Sequence, residues 1–144
     1  MAFIERYSNK RKLQGQQGEA LVKPILEQYL GEILTKTEKE NDTLDFFTET
    51  RWIELKRRLP PYSSTDKYFE QGALIPFCKI IRALEEEKPT YFYYYFDTDK
   101  SLWELQFQPE LLDLYHPFVP RGHQTAQPHV AIPKKHWKQI VYSS

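Results

Sequence analysis

Six consecutive aromatic residues, YFYYYF at positions 91–96, dominate the middle of the chain. Aromatic residues favour β-strands, and a strand without a polar face must be covered by other elements on both sides. A second strand is expected at 102–107, because the DTDKS segment between the two runs is typical of a turn. The chain therefore needs a central sheet with packing elements on each face.

The spacing of apolar residues predicts the elements that surround this strand pair. In GEALVKPILEQYLG the apolar residues recur at helical spacing and Gly31 supplies a stop, which predicts an amphipathic helix over 18–31. The other predicted elements are strands over 33–39, 43–48 and 51–56 and a helix from 66 to about 87. The order α-β-β-β-α-β-β indicates the α/β class, with a mixed sheet that carries a helix on each face.

The length and composition indicate one globular domain over residues 1–144, with a core over about 14–107 and a proline-rich C-terminal extension over about 114–144. The 40% apolar and 15% aromatic content excludes a disordered chain, and no apolar run is long enough for a membrane span. Cys78 is the only cysteine, which excludes disulfides and cysteine zinc sites. Because the first residues also lack a secretory pattern, we expect a cytoplasmic protein.

The formal net charge is zero, but the charges are unevenly distributed. Acidic residues concentrate between 27 and 54, whereas Lys10, Arg11 and Lys12 precede them and no acid follows Asp113. An acidic centre with basic ends is typical of a cation-dependent enzyme that acts on a polyanion, because the metal needs carboxylates and phosphates need Lys and Arg. Solvated faces and surface ion pairs are the alternative explanation.

The two strands at 43–48 and 51–56 predict a hairpin with two different faces. If its loop contains two or four residues centred on Glu49 and Thr50, paired positions sum to 99 and Asp45 lies opposite Glu54. Lys56 follows on the same face, because strand side chains alternate with period two. A three-residue loop would instead shift the pairing. The other face of this hairpin is apolar and consists of Leu44, Phe46, Ile53 and Leu55.

Two carboxylates directly opposite each other destabilise a hairpin unless something compensates their charge, and a bridging divalent cation would do so. Glu19 is a further candidate, because on a helix it shares a face with Val22 and Leu26, which must dock on the sheet. The alternative for Glu19 is an exposed place in the first helical turn, where negative charge favours the helix dipole.

With these residues the chain resembles the PD-(D/E)xK nuclease superfamily, whose restriction endonuclease-like core has the order α-β-β-β-α-β. The resemblance covers residues 14 to about 107. Glu19 matches the glutamate of the first helix, Asp45 the strand aspartate, and Glu54 with Lys56 the (D/E)xK pair. Leu44 stands before Asp45, so the literal PD dipeptide is absent, as it is in many members of the superfamily.

The resemblance implies a nuclease that hydrolyses DNA phosphodiester bonds with Mg²⁺, for which Mn²⁺ can substitute. Asp45, Glu54 and the Leu55 carbonyl would hold the ion, and Lys56 would orient or deprotonate the attacking water. Glu19 would hold a second ion or the water.

Other polar residues are candidates for contact with DNA. Gln71 is similar to a glutamine of exonuclease-like branches, although Ile75 replaces the companion tyrosine. The four histidines are too irregularly spaced for a metal site, so we expect them in loops or facing DNA. The predicted substrate-binding residues are Arg57, Arg58, Lys67, Gln71 and Lys79.

Several alternatives remain open at this point. The chain resembles Holliday-junction resolvases, which work as homodimers, and equally a compact phage-type endonuclease or exonuclease. A nucleic-acid-binding module without catalysis could keep the same fold. A metal-dependent enzyme of another small α/β class would require a different hairpin register.

Overall fold

A computed structural model describes residues 2–38, 44–121 and 127–142 of the chain, with the backbone alone for 2–12, 14 and 15. It contains four α-helices and eight strands within these ranges. In chain order the elements are α1 Ala2–Leu30, β1 Thr35–Lys36, β2 Phe46–Phe47, β3 Trp52–Arg58, α2 Lys67–Gln71, β4 Ala73–Pro76, α3 Phe77–Glu85, β5 Thr90–Phe96, β6 Ser101–Gln106, α4 Leu111–Leu114, β7 His129–Ile132 and β8 Lys138–Ile140.

Six of the strands form one mixed sheet in the order β1-β2-β3-β5-β6-β8. Strands β3 and β5 are parallel, and every other neighbouring pair in this sheet is antiparallel. Strands β4 and β7 form a separate antiparallel pair. The prediction of a mixed sheet with helices on its faces is therefore confirmed.

The aromatic strand β5 lies inside the sheet and is buried on both faces, as predicted. On one face, Tyr93 and Tyr95 pack in a cluster with Val22 and Leu26 of α1. On the other face, the alternate residues Phe92, Tyr94 and Phe96 pack with residues of α2, α3, β4 and β7. Burial of β5 on both faces explains why this strand has no polar alternation.

The hairpin between β2 and β3 has the predicted register, because Phe46 pairs with Ile53 and Phe47 with Trp52. The Thr48 N–H donates to the Arg51 carbonyl at 2.9 Å and closes a two-residue loop. The Thr48 hydroxyl also accepts the N–H groups of Thr50 and Arg51, each at 3.2 Å. This hydroxyl stabilises the turn without the Asn-Gly pair that favours such loops.

The predicted helix from 66 to 87 is wrong, because strand β4 divides it into α2 and α3. Asp66 caps α2, since its side chain accepts the Phe69 N–H at 3.2 Å. Gly72 then lies so close to β7 that an added Cβ would come within 2.6 Å of the Ala131 Cβ. Pro76 cannot donate in a helix interior and stands directly before α3. Pairing with β7 therefore overrides the helical periodicity of this segment.

The first helix begins at Ala2 and not near residue 18, so positions 10–12 belong to α1 and do not form a separate segment before it. At the other end of the chain, the proline-rich extension contains strands β7 and β8, and the short helix α4 precedes it; none of the three was predicted. Val130, Ile132, Trp137 and Ile140 are buried, so the described C-terminal residues contribute to both sides of the core. None of the described helices combines the length and apolarity that a membrane span requires.

Candidate active site

A cavity of about 760 Å³ opens beside β3, where its pairing with β2 stops. Within the described residues, β2 pairs with β3 only at Trp52 and Ile53, so the edge of β3 is accessible from Glu54 onward. Helix α1 packs on the face of the sheet that carries Tyr93, and α3 packs on the opposite face with Phe92. Both helices reach the cavity, which Gly18 of α1 and Lys79 of α3 line. The predicted residues Glu19, Asp45, Glu54, Leu55, Lys56, Arg57, Arg58 and Lys79 also line it.

Asp45 is fixed at the point where β2 begins. Its Oδ2 atom accepts the Leu55 N–H at 2.9 Å, so the carboxylate is bound to the accessible edge of β3. The N–H of Thr37 donates to the Asp45 carbonyl at 3.1 Å, and the Thr37 hydroxyl donates to the Leu44 carbonyl at 2.6 Å. In a strand the N–H and C=O of one residue point to the same side, so the Leu55 carbonyl faces this edge as well.

The side chain of Glu54 is more buried than that of Glu19. Its side chain is 15% exposed, and the Nζ atom of Lys79 on α3 lies 3.1 Å from its Oε2 atom. Burial raises the pKa of Glu54 well above its ordinary value, and the neighbouring Asp45 raises it further, whereas Lys79 opposes both effects. Glu54 is therefore a carboxyl group that holds its proton unusually strongly unless more positive charge is nearby.

Glu19 approaches the same cavity from α1. An added Cβ at Gly18 would lie 2.9 Å from the Arg57 Cβ, so this glycine permits the close approach of α1 to β3. Glu19 forms an ion pair with Lys36 of β1. Burial raises the pKa of Glu19, as does Asp45, whereas the hydrogen bond with Lys36 lowers it. Because α1 begins at Ala2, the alternative that places Glu19 in an exposed first turn is wrong.

We call Glu19, Asp45 and Glu54 the carboxylate end of the cavity. Asp45 interacts with both glutamates, since its charge contributes to raising the pKa of each. Lys56 is exposed at the same cavity, on the face of β3 that carries Glu54. The structure thus brings together the four residues that the hairpin geometry and the helical pattern single out.

The two arginines that follow have different surroundings. Arg57 donates from Nε and from a terminal nitrogen to the two oxygens of Asp97, at 2.7 and 2.6 Å. Arg58 instead lies over the rings of Tyr62 and Tyr68, with its guanidinium carbon 4.4 and 4.6 Å from their centroids. We call Arg58, Tyr62 and Tyr68 the arginine end of the cavity, which all three residues line.

Other predicted residues lie elsewhere. Lys67 and Gln71 are exposed on α2 and are not among the described residues that line the cavity. His129 is buried and lines it, with Nδ1 2.8 Å from the Gln127 carbonyl oxygen, whereas His136 contacts the Tyr115 hydroxyl at 2.7 Å. His116 is exposed, and His123 lies outside the described residues.

Sequence reasoning missed the partners that hold the site. Lys36 gave no signal, because it pairs with Glu19 from a neighbouring element across 17 positions. Tyr62 follows the turn at Pro60 and Pro61, Tyr68 lies within α2, and only the folded chain brings both to Arg58. Arg121 also lines the cavity, and its place in the acid-free segment after Asp113 was the single hint.

Across residues 2–38, 44–121 and 127–142, no group of three or more His, Cys, Asp or Glu side chains is arranged to hold a metal ion. Magnesium is usually held by one or two carboxylates, with water and substrate phosphates as its other ligands, so a smaller donor set is chemically sufficient.

No protein-family model, curated protein or solved structure matches the chain.

Proposed function

We propose that this chain is a Mg²⁺-dependent deoxyribonuclease that hydrolyses phosphodiester bonds and can use Mn²⁺ instead. The observation that carries the proposal is the carboxylate end, where three acids from α1, the start of β2 and β3 line one cavity with Lys56. Clustered, partly buried carboxylates are costly for the fold, so their presence beside lysines and arginines supports a catalytic use.

The donor set fits a hard divalent cation. The buried Oε2 atom of Glu54 has the Lys79 ammonium as its ion-pair partner at 3.1 Å. Glu54, Asp45 and the Leu55 carbonyl are oxygen donors of the kind that Mg²⁺ prefers, and Glu19 could serve a second ion or its water. A bound ion would stabilise charge on the phosphoryl oxygens and lower the pKa of bound water.

The chain's own residues would supply the remaining functions. Lys56 is exposed on the Glu54 face of β3, where its ammonium group can hold the attacking water by a hydrogen bond. Asp45 is held by the Leu55 N–H, so its carboxylate is positioned before any ligand binds. Lys79 and Lys36 neutralise part of the carboxylate charge that would otherwise repel a phosphate.

The same ion pairs favour a second candidate, a nucleic-acid-binding module without catalysis. Glu54 is paired with Lys79 and Glu19 with Lys36, so both glutamates have cationic partners without any metal ion. If these pairs persist in the presence of Mg²⁺, the chain would bind DNA through its basic residues and leave it intact.

A cleavage assay separates the two candidates. The purified chain is incubated with plasmid, linear duplex, single-stranded and branched DNA in Mg²⁺, in Mn²⁺ and in EDTA. Cleavage that requires the divalent ion and is lost in Asp45→Asn supports the nuclease, and nicking of closed circular plasmid identifies an endonuclease. Degradation from ends alone identifies an exonuclease. Binding to DNA without cleavage in either metal supports the silent module, and absence of both overturns the two proposals.

A further inference from the structure

Arg58 shares a face of β3 with Glu54 and Lys56 but lies farther from the carboxylate end. Strand β3 is regular over Trp52–Arg58, and its parallel register with β5 is continuous to Arg58. Four residues of strand span about 13 Å, which exceeds the size of one phosphate group. If a nucleic-acid strand with one phosphate at Glu54 continues along β3, the phosphate near Arg58 would therefore be a different one.

The Arg58 side chain lies against two aromatic rings, of which Tyr68 is anchored by a hydrogen bond. The Tyr68 hydroxyl accepts the Leu74 N–H at 3.3 Å, and the Tyr94 hydroxyl donates to the Leu74 carbonyl. The rings of Tyr62 and Tyr68 are 5.4 Å apart and both lie against the guanidinium. Stacking on aromatic faces orients an arginine without neutralising its charge, and it reduces the entropy lost when the guanidinium binds a ligand.

The charge of Arg58 is not matched by an acid in the described part of the chain. No ion pair among those residues includes Arg58, and its Nε atom is buried without a hydrogen-bond partner. The adjacent Arg57 shows the contrast, because Asp97 binds its guanidinium through two hydrogen bonds. A guanidinium that lines the cavity without an acidic partner of its own is suited to an anion with two oxygens that can accept its parallel N–H groups, as a phosphate does.

We infer that Arg58, stacked on Tyr62 and Tyr68, is the binding site for a second backbone phosphate of the nucleic acid, distinct from the phosphate at the carboxylate end. This inference rests on the proposed function, because it takes the carboxylate end as the place of the scissile phosphate. It assigns Arg57 no direct contact with DNA, and it requires a substrate strand with at least one phosphate beyond the reacting one.

The test uses short oligonucleotides in which one phosphate at a time is replaced by a neutral methylphosphonate. Affinity is measured with Ca²⁺ present, for the wild type and for Arg58→Ala, Arg58→Lys and Asp45→Asn. Arg82→Ala is the matched control, because Arg82 pairs with Glu86 at 3.0 Å and does not line the cavity. Thermal melting confirms that each variant is folded, and Arg58→Lys serves if the alanine variant is not.

We expect one methylphosphonate position that weakens binding of the wild type by about tenfold, as loss of a charge-assisted hydrogen bond should. The same replacement should have little effect in Arg58→Ala, whereas Arg82→Ala should behave as the wild type does. In Asp45→Asn, the methylphosphonate replacement that no longer weakens binding should be at a different position from the one coupled to Arg58. Coupling of Arg58 to no position, or to the position coupled to Asp45, overturns the inference, as does an oligonucleotide that fails to bind the wild type.

The same oligonucleotides distinguish failure of the proposed nuclease function from failure of the second phosphate site. Cleavage of the unmodified oligonucleotide in Mg²⁺ tests the nuclease, whereas the coupling pattern is measured under binding conditions. Separate coupled positions without cleavage would keep the second phosphate site and remove the nuclease.

Discussion

The carboxylate end and the arginine end of the cavity hold opposite charges in different ways. At the carboxylate end, Glu54 and Glu19 have lysine partners, and Asp45 lies between like charges. At the arginine end, Arg58 contacts two tyrosine rings, which leave its charge intact. The first arrangement responds to an added cation, because a metal ion can replace ammonium partners. The second should respond only to an anion, so the two ends should be separable by mutation.

The largest effect should follow from Asp45→Asn. The amide oxygen still accepts the Leu55 N–H, so the fold should be preserved, whereas the lost negative charge weakens a metal ligand. We expect cleavage to fall by on the order of 10³-fold, since metal stabilisation of a transition state is worth several kcal/mol. Turnover on plasmid DNA measures the effect, and thermal melting controls for folding. Cleavage at the wild-type rate would remove Asp45 from the active site.

The next effect concerns Lys56, which distinguishes catalysis from simple charge balance at the carboxylate end. Lys56→Ala should retain Mn²⁺ binding by calorimetry but lose about 100-fold in turnover, the usual scale of a positioned proton-transfer group. Lys56→Arg should not restore turnover, because a planar guanidinium replaces a compact donor. An active arginine variant would reassign Lys56 to charge neutralisation.

The hairpin shows how far sequence reasoning reaches when one rule dominates. The alternation from Leu44 to Lys56 fixed which side chains share a face, and a turn with two residues was enough to set the register. The segment from 66 to 87 failed for the opposite reason. Its apolar spacing fits a helix, but β4 pairs with β7, which lies more than fifty positions later in the chain. Local periodicity carries no information about such a partner.

The residues of the site differ in the same way in how far the sequence predicts them. Asp45, Glu54 and Lys56 were accessible to prediction, because two neighbouring strands bring them together. The partners that decide their charge come from other elements, as Lys79 does from α3 and Lys36 from β1. Arg57 and Arg58 are indistinguishable as neighbours in the sequence, and only the folded chain shows that Asp97 binds one of them.

A smaller effect on stability should follow from Glu54→Gln in EDTA. Burial and Asp45 raise the pKa of Glu54 above its ordinary value near 4.5, so the folded state binds its proton more tightly than the unfolded state does. The resulting stability is present at low pH and is lost as pH rises through the raised pKa. We expect Glu54→Gln to be more stable than the wild type by about 1 kcal/mol at neutral and higher pH, because its loss of the Lys79 ion pair offsets part of the gain.

Urea denaturation across this pH range measures the effect. Glu49→Gln is the control, because Glu49 is exposed in the hairpin turn and should not change the pH dependence. A glutamine variant with the pH profile of the wild type would show that Glu54 is not the group that titrates.

The smallest effect separates the neighbouring arginines. Arg57→Ala should lower the free energy of unfolding by about 1 kcal/mol, because it breaks a two-point ion pair whose partners are each 21% exposed. It should leave the salt dependence of DNA binding unchanged, since Asp97 already occupies the guanidinium. Arg58→Ala should instead reduce the slope of log affinity against log salt by about 0.9 for duplex DNA, the value of one lost phosphate contact.

A double-mutant cycle with Asp97→Ala tests the expected loss of stability in Arg57→Ala, and salt titrations of both arginine variants test the expected difference in slope. Equal reductions of the slope in the two variants would show that Arg57 leaves Asp97 to bind DNA, and the contrast between the two arginines would then disappear.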